Sequence, residues 1–316
     1  MTEVTVIICA HTLDRWSELN AAVLSVRRQS HAAREILVVI DHNDELLARA
    51  GCELSGATVI ANAREPGLSG GRMTGADRAT APILAFLDDD AIADPDWLRE
   101  IVAVYAADPN VLGVGGPVEP LWRAPRPGWF PGEFLWVVGC TYEGMPVKES
   151  RIRNPIGANM SLRADVLRQV GGFAIDLGRQ KAGFSMSGKA RTGSVAESCE
   201  ETEICIRAKR LNPGGYFVYQ PKAVVQHCVP AQRTTWWYFV NRCLVEGAAK
   251  AILTDITGPR DGLDAERQYV RKVLPWGVVN SLRTGALGRA GAILAGLGVT
   301  TFAYVRTRLE RRRIAA

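Results

Sequence analysis

Ile83-Leu84-Ala85-Phe86-Leu87-Asp88-Asp89-Asp90 is an apolar run of strand length that ends in three consecutive carboxylates. Strands buried on both faces read as near-continuous apolar runs. Open α/β sheets place their chemistry at the carboxyl ends of such strands. If the chain stays extended, Asp88 and Asp90 point to the same side, roughly 6.5–7 Å apart. Acids held that close repel unless a cation lies between them. A small set of oxygen ligands suits Mg²⁺ or Mn²⁺, with phosphate oxygens completing the shell. Helix capping accounts only for Asp94, as the N-cap before Pro95 at a first helical position. It leaves the three preceding acids unexplained.

Working outward, Val4–Ala10 reads as a first strand, residues 36–40 as a second and Thr58–Ala61 as a short third. Trp16, Leu19, Val23, Leu24 and Val26 give a helical face between the first two. Strands alternating with helices predict a mostly parallel α/β sheet with crossover helices. No GxGxxG follows the first strand, so a dinucleotide fingerprint is a poor match. The Gly-rich stretch 62–75 (NAREPGLSGGRMTG) leads into a helix to about Thr80. It reads either as a plain loop or as backbone open to an anionic ligand.

A helix is expected from Pro95 to about Ala107, then a glycine-weakened strand at 111–116. Residues 120–144 carry Trp122, Trp129, Phe130, Phe134, Trp136 and Tyr142 among prolines and glycines, unlike a regular helix or inner strand. Packing against the domain is the preferred reading of them, over an acceptor-side flap. Residues 178–198 are polar, Gly- and Ser-rich and aperiodic, a loop of functional length. Glu200 and Glu201 open a helix that ends at Asn212-Pro213-Gly214-Gly215. Two short strands, 216–219 and 223–227, follow, and then helical sequence from about Thr234 to Lys250.

Length and composition exclude several classes. At 316 residues and 47% apolar residues, the chain can bury a substantial core. Its net charge is +5, of which the last eleven residues supply +4 (five arginines against Glu310), leaving +1 for the rest. That placement removes the case for nucleic-acid binding. Seven scattered cysteines without a CxxC pair exclude a zinc ribbon or a disulfide framework. No secretory signal pattern opens the chain, so a reducing cytoplasm is expected. Residues 290–305 are uncharged, short of the roughly 20 apolar residues a membrane span needs. They read as a packed or amphipathic helix whose basic end rests on an anionic membrane, at its inner face.

Four polar sets sit where strands end or helices begin: Asp41 with its neighbours, Asp88–Asp90, Glu200 with Glu201, and His227. In their order, with SGGR, GAN (Gly157, Ala158, Asn159) and GGF segments between, they resemble family 2 glycosyltransferases of GT-A fold over roughly residues 3–245. The resemblance implies a GT-A domain over 1–235 and a helical C-terminal region over 236–316. It implies a metal-dependent, inverting transfer of a sugar from a nucleotide-diphosphate donor, a UDP-sugar, to an acceptor hydroxyl. By position, Asp41 would contact the base, Asp88 the ribose or metal, and Asp90 the metal. Asp89 and Arg72 fall in the donor-binding segments, Gly157, Ala158 and Asn159 would line the sugar or acceptor pocket, and His227 would join the metal or diphosphate.

Glu201 matches the general base and Glu200 its supporting acid. The pair is Glu-Glu where the family has Glu-Asp, so either carboxylate fits the base. GRMTG replaces the usual ARN-x-G, which weakens the sugar contact expected there. Gln232-Arg233-Thr234-Thr235-Trp236 lacks the Arg before Trp of processive synthases. A nucleotidyltransferase, or a non-catalytic nucleotide-sugar-binding protein, is the alternative reading. Aromatics in 122–142 and the basic tail point to a lipid-linked or membrane-proximal acceptor.

Overall fold

Residues 2–174 and 199–315 are described by the structure, a computed structural model. They form two compact units: residues 2–121, 146–174 and 204–228, and residues 122–145, 199–203 and 229–315. The loop expected at 178–198 lies outside the described residues.

The first unit is built on an eight-stranded mixed sheet, in the order β3-β2-β1-β4-β9-β6-β10-β8. Its strands are β1 (Val4–Ala10), β2 (Glu35–Ile40), β3 (Thr58–Ala61), β4 (Ile83–Asp88), β6 (Val111–Gly115), β8 (Ser150–Ile152), β9 (Asn159–Arg163) and β10 (Tyr216–Tyr219). β1 pairs in parallel with both β2 and β4. The chain therefore runs outward through β2 and β3, then returns to the other side of β1. Such a reversal leaves a crevice beyond the strands' carboxyl ends.

Alternation along β1 serves both faces. Val4, Val6 and Ile8 join a core with helix α1 (Trp16–Arg27) and with Trp97, Leu98 and Ile101. Ile7 joins a second core with Leu37, Val39, Met73 and Phe217 on the opposite face. A three-stranded sheet, β5-β11-β7, stands apart, built from β5 (Ala91–Ala93), β11 (Val225–Val229) and β7 (Val118–Trp122).

Several local expectations change. The segment around Asn159 is an inner strand, β9, antiparallel to both β4 and β6. Its polar residues, Asn159 and Ser161, hide it from a pattern search. Asn43, whose side chain accepts from Leu46 N at 2.9 Å, caps helix α2 (Asp44–Glu53). Helix α4 (Trp97–Ala107) starts two residues later than expected, after Asp96. Asp94 instead accepts the Asp96 N–H at 3.1 Å, a local turn.

The SGGR segment lies inside helix α3 (Leu68–Arg78) rather than in a loop. A Cβ at Gly75 would lie 2.5 Å from Ile7, and one at Gly70 would collide with the Glu65 carbonyl oxygen. Gly75 brings helix and sheet together, and Gly70 admits the loop that precedes the helix. Among the described residues, this part of the chain also holds helices α5 (Ala164–Gln169) and α6 (Glu200–Leu211).

The second unit is helical. It contains α7 (Trp236–Thr257), short helices α8 (Pro259–Gly262) and α9 (Asp264–Gln268), then α10 (Leu274–Arg283) and α11 (Leu287–Ala315). The polar stretch after α7 is thus helical at 259–262. Phe130 and Phe134 from the aromatic segment meet Phe239 of α7 at 5.6 and 5.3 Å between ring centroids. The segment expected to pack against the sheet domain belongs instead to the helical unit and packs on α7, with edge-on and tilted rings supplying a large apolar payload. Where α7 passes α11, a Cβ at Gly247 would collide with the Thr300 carbonyl oxygen, so the glycine permits the close approach. Arg289 bridges the buried Glu133 at 3.2 Å and Glu143 at 2.7 Å. Burial first, and then the neighbouring Glu133, raise the Glu143 carboxyl above its ordinary value.

Asn159 is fully buried and ties the layers of the first unit together. Its Oδ1 accepts from Trp97 Nε1 at 2.8 Å, and its Nδ2 donates to the Pro117 and Ala223 carbonyls at 3.0 and 2.8 Å. Asn159→Ala would remove the partner of the indole N–H and of the Ala223 carbonyl, while the Pro117 carbonyl keeps the Val225 N–H at 3.0 Å. A loss of about 3 kcal/mol, read by urea unfolding, is the expected outcome.

Candidate active site

β1, β2 and β4 end at one edge of the sheet, with Cys9 opposite Asp88 and Ala10 opposite Ile40. Asp41 follows β2 there, its N–H donating to the Ala10 carbonyl at 2.8 Å. β1 lies between it and Asp88, so the two acids stand about two strand spacings, ~10 Å, apart. Asp41 Oδ1 accepts from Asn62 Nδ2 at 2.6 Å, and its Oδ2 accepts from Gly67 N at 2.8 Å. Asp41 therefore pins the turn that leads into α3. Beside it His42 adopts a left-handed backbone, φ 50°, with Nδ1 2.9 Å from Asp41 Oδ1.

The acidic run does not stay extended. β4 ends at Asp88, and Asp89 and Asp90 form a turn into β5. β5 pairs antiparallel with β11, placing His227 opposite Ala91, while Cys228 N donates to the Asp90 carbonyl at 2.8 Å. This pairing delivers His227 Nε2 to within 3.1 Å of Asp90 Oδ1. One ligand atom each from Asp88, Asp90 and His227 lies within 4.8 Å of the others. Asp90 and His227 are buried, and Asp88 is partly open.

Arg15 closes the other side. Its Nη1 lies 2.9 Å from Asp89 Oδ1 and 3.1 Å from Asp90 Oδ2. Asp89 Oδ2 is buried without a hydrogen-bond partner. Burial pushes the Asp89 carboxyl up to about 7; Arg15 opposes the rise, and Asp90 and Asp88 add to it. A bound divalent cation would reverse that balance. Arg72, almost fully buried, stands between the Phe86 and Phe173 rings at 5.9 and 5.4 Å from their centroids. It donates to the Gly157 carbonyl at 3.3 Å and lies 3.9 Å from Asp88 Oδ1.

The structure thus gathers Asp88, Asp89, Asp90, His227 and Arg72, with Gly157 joined through its carbonyl. Ala158 is buried beside Asn159, whose amide is committed to the core. Glu200 and Glu201 occupy the first turn of α6, Glu200 buried and Glu201 partly exposed. Acidic residues there favour the helix start electrostatically. Sequence reading missed Arg15 as the counterion. The available signal was three acids against one cation at the end of the first strand.

Residues 5–171 match the family model described as glycosyl transferase family 2. The chain belongs to that family. A glucosyl-dolichyl phosphate glucuronosyltransferase of Haloferax volcanii is 30% identical to it over 284 residues, 89% of this chain and 86% of the relative. Among solved structures, the mannosyltransferase PcManGT from Pyrobaculum calidifontis, in complex with GDP-Man and Mn²⁺, superposes with a TM-score of 0.58 at 16% identity. That match covers 94% of this chain and 86% of the other. GalNAc-T7 with UDP, GalNAc and Mn²⁺ gives 0.53 at 16% identity, over 86% of this chain and 56% of that one. At such identities the likeness concerns fold alone, the GT-A fold.

This family 2 chain is therefore a glycosyltransferase, which sets aside the nucleotidyltransferase and non-catalytic readings. Its carboxylate turn makes a test of Arg15. Arg15→Met should lower stability by ~2 kcal/mol, discounted because the guanidinium is partly solvated. Mn²⁺ should raise the urea midpoint of this variant more than that of the wild type, because the cation takes over the charge balance.

Proposed function

We propose that this glycosyltransferase moves a sugar from a nucleotide-diphosphate donor, a UDP-sugar, to a hydroxyl of a lipid-linked acceptor, with inversion. The observation that carries the reading is the Asp88, Asp90 and His227 cluster at the sheet's switch point. Two carboxylates and one imidazole suit Mn²⁺ or Mg²⁺ with room for phosphate oxygens. The buried, unpartnered Asp89 Oδ2 beside them fits a site that expects positive charge. When bound there, a divalent cation would neutralise charge growing on the departing diphosphate.

The chain's own residues supply the rest. Arg15 fixes Asp89 and Asp90 in orientation, and the β5–β11 pairing fixes His227. Asp41 holds the turn before α3, and its carboxylate faces the same sheet edge as Asp88, the side on which a nucleotide base would sit. Gly157 and Ala158 would border the sugar, with Arg72 holding the Gly157 carbonyl. Glu201 takes the proton from the acceptor hydroxyl, a poor nucleophile without a base, and Glu200 supports it. Direct attack by a hydroxyl that one base activates is a single displacement and hence inverts. Residues 1–235 act as the catalytic domain and 236–316 as its helical extension.

The Haloferax volcanii relative acts on a sugar carried by dolichyl phosphate, by its name. It supports an acceptor carried on a lipid phosphate, met at the cytoplasmic face of a membrane. GDP-sugars belong in the donor screen, because PcManGT was solved with GDP-Man.

Incubation with UDP- and GDP-sugars, reading released nucleoside diphosphate, should single out a UDP-sugar; release from none would refute the reading. EDTA should abolish turnover, and Mn²⁺ or Mg²⁺ should restore it. Asp90→Ala should lose at least about a thousandfold in kcat with its thermal unfolding profile kept. Glu201→Gln should retain donor binding in calorimetry while losing about 10²–10⁴-fold in turnover. If Glu200→Gln alone does this, Glu200 is the base.

A further inference from the structure

The helical unit has a charge distribution that tail counting conceals. No acidic residue occurs from 267 to 309. From 267 to 313 there are ten Lys and Arg against one acid, Glu310, a net +9 that leaves the rest of the chain at −4. Two helices of this segment also carry large exposed apolar side chains.

On α11 these are Leu287, Leu294, Phe302, Val305 and Leu309, each about half exposed or more. With the exposed Gly291 and Gly298, they recur in steps of three and four residues. That period keeps them on one stripe, roughly 33 Å long. The opposite face is covered, with Ala290, Ala292, Ile293 and Ala303 buried along α7. α10 exposes Trp276, Val279 and Leu282, and Arg283 stands over the Trp276 ring at 5.9 Å. Arg271 and Lys272, just before α10, are exposed.

We infer that this surface docks on an anionic lipid bilayer, with α10 and α11 lying in the plane of the headgroups. An apolar stripe bordered by arginine and lysine, with tryptophan at its edge, matches the chemistry of that interface. A soluble protein partner would be expected to meet some acidic side chain here, and over 43 residues the sequence offers none.

Leu287–Arg313 is long and apolar enough to cross a membrane by length and composition. The covered face argues for lying flat. α7, which packs along it, carries Lys250 paired with Glu246 and Glu266 at 3.4 and 2.7 Å, and Asp255 paired with Arg311 at 2.7 Å. Drawing those ion pairs into hydrocarbon would be costly. The inference deepens the lipid-linked reading of the acceptor, yet binding to vesicles requires no donor, metal or turnover.

The experiment is flotation of the full chain with phosphatidylcholine vesicles, with and without phosphatidylglycerol. The protein should float with the anionic vesicles, and alkaline carbonate should strip it from them. Combining Leu294→Glu, Phe302→Glu and Val305→Glu on the exposed stripe should abolish flotation while leaving the circular dichroism melt unchanged. Combining Arg271→Glu, Lys272→Glu and Arg283→Glu should weaken partition roughly tenfold or more. Undiminished flotation of either variant overturns the proposal, as does resistance to carbonate, which would mean a span. Wild-type protein that ignores vesicles overturns it too, and if it sediments as a dimer that the stripe variant dissociates, the occupant is a second copy. Asp90→Ala should float like wild type. Flotation without sugar transfer from any donor would defeat the functional reading and leave this one standing.

Discussion

Three carboxylates in one turn, two of them buried, are held together by charge balance. Like charges at this spacing in a low-dielectric setting repel by several kcal/mol unless compensated. Arg15 meets Asp89 and Asp90 from one side, and His227 meets Asp90 from the other. Compensation remains incomplete, as the unpartnered Asp89 oxygen and its raised carboxyl pKa indicate. A site left short of positive charge is suited to receive a cation. The geometry of the sheet tip and the demand for a counterion are one arrangement seen from two sides.

That arrangement depends on the scaffold behind it. β1 and β4 pair in parallel, so the apolar run from Ile83 to Leu87 is buried and the polarity change at Asp88 coincides with the sheet edge. Asn159, inside the antiparallel β9, ties Trp97 to the carbonyls of Pro117 and Ala223. A residue in a segment that resembles a pocket lining here serves as a buried polar clamp. Such clamps stabilise a fold when every donor and acceptor is matched, as these are.

The helical unit follows a different logic. Its interior is aromatic and closely packed, with Gly247 admitting the Thr300 backbone and a buried glutamate balanced by Arg289. Its surface keeps large apolar side chains in a regular stripe, within sequence that excludes acids for 43 residues. Isolated exposed apolar residues are ordinary, whereas a periodic row of them is a surface with a use.

Local pattern was enough for the strands of the parallel half, for the acid-tipped strand and for the helix that opens at Glu200, because burial on both faces and helical periodicity leave direct marks on residue order. The same order pointed to positive charge beside the carboxylates at 88–90, part of which Arg15 supplies. It could not show β9, whose polar core residues are satisfied by partners far away in sequence, or the helical setting of SGGR, whose glycines answer to Ile7 and the Glu65 carbonyl. Nor could it say that Arg15 and His227 converge on Asp90. Those pairings join residues separated by about 75 and 137 positions, and only strand order and register bring them within hydrogen-bond reach.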